Sequence, residues 1–173
     1  IPLKDAPRSS HPTAAATWVR VKNGRIESAT LGDSIAIVRT PAGEVTVLGE
    51  SSKPADEQKR AQTVMAGTLE DRLKWLQDVR AIHNTANGYW VFGVQPEAAA
   101  HIVYHSTDAP AGTQVLVMTD GYYRLVSPYG RYTDAQLIEA VIARGLGELM
   151  RELRSLEASP EDDAKIGRFK TSD

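Results

Sequence analysis

Between Thr13 and Gly49 the chain alternates short apolar runs with turn residues, and this pattern predicts four strands in a meander. "TAAATWVRV" (Thr13 to Val21) is apolar and β-leaning, and Asn23-Gly24 is a strong two-residue hairpin turn. "RIESATLGD" answers it, with Ile26, Ser28 and Thr30 alternating against Glu27, Ala29 and Leu31. "SIAIVRT", a "PAG" turn and "EVTVLG" then predict a second hairpin. From Lys53 the pattern changes to "KPADEQKRAQTVMAG", a charged stretch with a proline suited to a first helical turn. The clearer helix is "TLEDRLKWLQDVRAIHNT", capped by Thr68, with Glu70 and Asp71 at its positive end. Leu69, Leu73, Leu76, Val79 and Ile82 recur at helical spacing and predict one buried stripe.

Further along, "GYWVFGV" predicts a short strand, "PEAAAHIV" one or two helical turns, and "TQVLVMTD" a strand buried on both faces. "TDAQLIEAVIARG" and "GELMRELRSLEAS" read as two amphipathic helices joined at the glycines of Arg144-Gly-Leu-Gly147. The order β-β-β-β-α-α-β-(α)-β-α-α lacks the strict β-α alternation of a doubly wound fold. It favours an α+β domain in which antiparallel sheet is layered with helices. One domain is expected over residues 1–173, with polar, loop-like ends at 1–12 and 159–173 and no internal repeat.

Composition narrows the chemistry. A chain of 173 residues with 42% hydrophobic and 24% charged residues suits one globular domain with a substantial core. A net charge of −2 offers no basic stripe for nucleic acid. Without cysteine there is no disulfide, thiolate metal site or cysteine nucleophile, which fits a reducing compartment. No apolar run reaches the length of a membrane span, and "IPLKDAPRSS" has no signal-peptide core. These features predict a cytoplasmic protein with neither nucleic-acid nor membrane partners.

Two aspartates fall where predicted strands end, Asp33 in "LGDS" and Asp120 in "MTDG". Magnesium and manganese favour carboxylate oxygens on rigid supports, and an adjacent glycine leaves room for an ion and its waters. Read singly, each aspartate is better explained as a turn residue bonding its own backbone.

Taken in order, "TAAATWVRVKNGRIESATLGDSIAIVRTPAGEVTVLG", "HNTANGYWVFG", "AGTQVLVMTDGYYRLV", two helices and "DDAKIGRFKTSD" resemble the metal-dependent 2C-type serine/threonine phosphatases, in a divergent bacterial form. The resemblance implies a four-layer α-β-β-α sandwich of two antiparallel sheets flanked by helices. It implies hydrolysis of phosphomonoesters, with phosphoserine and phosphothreonine of proteins as substrate and a phosphorylated protein as partner. It further implies that no side chain acts as nucleophile, that a water activated by two manganese or magnesium ions does, and that a third ion is held more weakly. By position, Asp120 matches a core metal ligand, Asp173 the family's final metal-binding aspartate, and Asp33 the aspartate associated with the third ion. The family's first Asp-Gly strand, its upstream phosphate-gripping arginine and its last strand have no counterpart within these residues, so a partial domain is expected. Ile35 stands where many members carry arginine after Gly-Asp-Ser. The rival reading is a catalytically inactive phosphatase-like module that binds or signals.

Other residues have competing readings. Ser34 lacks the histidine motif of a triad. His83 is suited to cap helix carbonyls. His101 and His105 have the i, i+4 spacing of two ligands, but no third ligand follows, so structural roles are favoured. Arg124, just past "DGYY", is a weak candidate for phosphate, with a surface position or a core-edge salt bridge favoured. Asp162 and Asp163 read as solvated tail residues, "DEQKR" at 56–60 as a solvated helix face, and Trp18, Trp75 and Trp90 as core.

Overall fold

The two hairpins form, but they belong to different sheets. The structure, a computed structural model, describes residues 5–49, 63–64 and 67–159. The charged stretch at 56–60, and Asp162, Asp163 and Asp173, lie outside the described residues. Strands β1 (Ala16–Lys22) and β2 (Arg25–Leu31) pair antiparallel about Asn23-Gly24, both at positive φ (52° and 70°), as a primed turn requires. Strands β3 (Ile35–Arg39) and β4 (Val45–Leu48) form the second hairpin. β5 (Val103–Asp108) joins β2, and β6 (Gln114–Met118) joins β3, giving sheets ordered β1-β2-β5 and β4-β3-β6. The chain therefore crosses between sheets at Gly32-Asp33-Ser34 and again between β5 and β6.

The side-chain period of two in β3 accounts for the layering. Ala36 and Val38 meet Ile26 and Leu48 between the sheets, while Ile35 and Ile37 face the opposite way. There they join Leu116 and Met118 of β6 under the C-terminal helices. Those helices are α2 (Asp120–Tyr123), α3 (Asp134–Arg144) and α4 (Leu146–Ala158); α1 (Leu69–Ala81) precedes them. Leu137, Leu149 and Leu153 are almost wholly buried against the sheet, each stabilising by about 1.5–3 kcal/mol through its removal from water. Capping boxes start α1 (Thr68 with Asp71) and α3 (Thr133 with Gln136), and Gly145 at φ 83° turns α3 into α4. The α+β class with two antiparallel sheets and helices is what the structure shows.

Several local expectations are corrected. The stripe on α1 is exposed: Leu69 is 71% accessible and Leu73 52%, and no residue of α1 is buried. Periodicity identifies residues that share a face, not what covers it, and α1 packs chiefly on a short 3-10 turn at Arg8–Ser10. "GYWVFGV" forms only a single bridge, Ala14 with Phe92. A strand that the pattern did not predict, β5, follows instead, its backbone pairing with β2 through the largely polar "VYHSTD". β6 is not apolar-buried on both faces, since Val117 is exposed. No tryptophan is fully buried: Trp18 is exposed under Arg20, while Trp90, stacked on His101, and Trp75 are partly buried.

Candidate functional site

The antiparallel ladder of β3 and β6 decides where the two aspartates stand. Its last pair is Ile35 with Met118. Asp33 lies two residues before Ile35 and Asp120 two residues after Met118, so both occupy the same end of the same sheet. Both are half-buried. A sequence pattern can place each at a strand end, but only register can place them at the same one.

Each turn is held rigidly. Gly32 sits at φ 90°, where a Cβ would lie 2.6 Å from Ala15 Cβ. Thr17 on β1 donates its hydroxyl to the Ser34 carbonyl, bridging the two sheets beside Asp33. Gly49, just past β4, also abuts that carbonyl: a Cβ there would be 2.8 Å from it. Past Asp120, the buried side chains of Tyr122 and Tyr123 donate to Leu146 O (3.2 Å) and Asp134 Oδ1 (2.8 Å). Arg124 then reaches Glu157 Oε1 at 3.3 Å. Three anchors thus fix the short helix to α3 and α4. Burial raises the Tyr122 phenol above its ordinary value, with Tyr132 adding to the shift, so it stays a donor at neutral pH.

The remaining candidates either support these turns or lie elsewhere. Arg124 pairs with Glu157, which is 4% exposed and also accepts from Arg154 at 2.7 Å. Ser34 is buried at 8% exposure. His101 ends the 3-10 turn Pro96–His101 and His105 lies on β5 opposite Ser28, so they share no helix face. His83 does not cap α1 as a cation. Burial, followed by the nearby Arg80, lowers its pKa, and Arg8 and Thr85 bond the His83, Asn84 and Ile82 carbonyls instead. Thr17 and Gly49 carried no signal in the sequence, because their role depends on contact between sheets.

Two carboxylates at one sheet end suit a hard divalent cation by donor chemistry. Among the described residues, however, no group of three or more His, Asp or Glu side chains is arranged to hold one. The described residues therefore do not by themselves make a complete cation site. No helix among them is long and apolar enough to cross a membrane.

The sheet-to-sheet crossing at Gly-Asp-Ser and the strand running into Thr-Asp-Gly are the two elements that carry the resemblance to a phosphatase scaffold. The family model for protein phosphatase 2C matches residues 4–158, and the chain belongs to that family. No curated protein and no solved structure matches it.

Proposed function

We propose that the protein hydrolyses phosphomonoesters, with phosphoserine and phosphothreonine in proteins as substrates, using manganese or magnesium. The observation that carries this reading is the register that sets Asp33 and Asp120 at one end of one sheet, in a chain of the phosphatase 2C family. Carboxylates on two rigid strand ends supply hard oxygen donors, and Asp173 is the third candidate. When bound, the cations would activate water and neutralise phosphoryl oxygens, so this chain needs no nucleophilic side chain. Asp33 and Asp120 place carboxyl oxygens at the ends of fixed strands, while Thr17, Tyr122 and Tyr123 keep their turns from relaxing.

The test is hydrolysis of p-nitrophenyl phosphate and of a phosphothreonine peptide by the full protein, with and without manganese. Manganese-dependent turnover is expected on both. Asp120→Asn should lower it by more than the roughly 10- to 100-fold seen when a residue merely orients a metal ligand. An Asp120→Asn protein as active as the wild type would remove Asp120 from the site. A full protein that neither turns over substrate nor binds manganese would be a phosphatase-like binding module.

A further inference from the structure

Behind the Asp33 turn runs a chain of hydrogen bonds whose direction is determined from end to end. A backbone N–H can only donate, so the 2.8 Å contact from Val91 N makes Asn84 Oδ1 the acceptor. Asn84 is 6% exposed, in the left-handed region at φ 56°. Its Nδ2 must then donate to Gln95 Oε1 at 3.0 Å, which leaves Gln95 Nε2 as donor to His11 Nδ1, also at 3.0 Å. His11 Nδ1 therefore carries no proton, and Nε2 donates to the Ala6 carbonyl at 3.2 Å. This arrangement orients the imidazole with Nδ1 as acceptor, through a backbone amide several bonds away.

We propose that His11 is a proton-operated latch. Neutral, it ties residues 5–12 to the strip 89–95; protonated on both nitrogens, it cannot accept from Gln95 and the tie is broken. Among the described residues, the ionisable groups on the surrounding elements are Asp5 and Arg8 in its own segment, Arg80 and His83 from α1 and the turn after it, Tyr89 on the strip itself, and Glu97 and His101 on the 3-10 turn. Arg8 and Arg80 stay charged throughout, so their bonds to the His83, Asn84 and His11 carbonyls do not change with pH. His83 Nδ1 has no hydrogen-bond partner, so its protonation breaks no link of the chain.

The latch has a mechanical consequence. Phe92 exchanges two 2.9 Å backbone bonds with Ala14, and Ala15 lies directly under Gly32. Val91 Cγ1 comes within 3.6 Å of where a Gly32 Cβ would stand. The strip that His11 secures is thus the floor on which the Asp33 turn rests. Opening the latch loosens that floor whether or not Asp33 holds a metal.

Imidazole 15N spectra of the full protein at pH 8 should show His11 as the Nε2–H tautomer. Amide exchange would then be followed at Val91, with Ile37 in β3 as internal reference. On going from pH 8 to pH 5 the protection of Val91 relative to Ile37 should fall by up to about tenfold, the equivalent of one hydrogen bond. Gln95→Glu should reverse the sign, because a carboxylate accepts both from Asn84 and from protonated His11. A wild-type His11 protonated at Nδ1, or equal acid responses in wild type and Gln95→Glu, would overturn the latch. Neither readout needs phosphatase activity, so the latch and the proposed function fail independently.

Discussion

Replacing Gly32 by alanine separates two effects that a glycine at a crossing can serve. Its φ of 90° is a conformation that L-residues adopt only with strain, and a Cβ would stand 2.6 Å from Ala15 Cβ and 2.8 Å from Ala15 Cα. Neither atom can swing aside, since one is backbone and the other is attached to it. Gly43, in the turn between β3 and β4, has nearly the same φ, 88°, with nothing within 4 Å of the added atom. Both substitutions should carry the left-handed penalty of about 1–2 kcal/mol. Only Gly32→Ala adds overpacking, typically about 1–3 kcal/mol. The expected losses are therefore about 2–5 kcal/mol for Gly32→Ala and about 1–2 kcal/mol for Gly43→Ala. Against a total stability of about 5–15 kcal/mol, the first is a large fraction and the second is not. Equilibrium urea unfolding followed by circular dichroism measures both. A difference no larger than the ~0.5 kcal/mol spread of ordinary surface substitutions would refute the claim that Gly32 is required by contact.

Three further outcomes are expected. Glu157→Ala leaves Arg124 and Arg154 without their shared carboxylate; because both arginines are partly exposed and can rehydrate, the loss should be at most about 3 kcal/mol, at the low end for a broken buried pair, as read by denaturant titration. At Glu152, burial pushes the carboxyl up, but hydrogen bonds from Tyr132, Arg131 and Arg144 outweigh it and hold the group below 4.5. A folded value below the unfolded one gives stability that is full above the unfolded value and is lost as pH falls through the folded one, so Glu152→Gln should flatten the acid limb of the stability curve and leave its slope near neutrality unchanged. Thr133→Ala removes the 3.2 Å cap on the Gln136 N–H and should cost about 1 kcal/mol of thermal stability, which Thr133→Ser should largely restore.

The sequence by itself determined the local elements. Asn23-Gly24 dictates a primed turn because both residues tolerate positive φ, and Thr133 and Gln136 announce the start of α3 because a helix leaves amide donors to be capped. It also marked Asp33 and Asp120 as strand-end carboxylates beside glycines. What it could not carry was any relation between distant segments. The four-strand meander became halves of two sheets, since β2 and β3 each found a better partner across the chain, in β5 and β6. The α1 stripe was legible as a face, yet its exposure depended on which element stood opposite. The shared sheet end of Asp33 and Asp120 followed from the pairing of Ile35 with Met118, and the direction of the Asn84–Gln95–His11 hydrogen bonds from the donor at Val91. Capping and turn chemistry act within a few residues and can be read along the chain. Register, burial and hydrogen-bond polarity arise between residues far apart in sequence, and only the tertiary structure decides them.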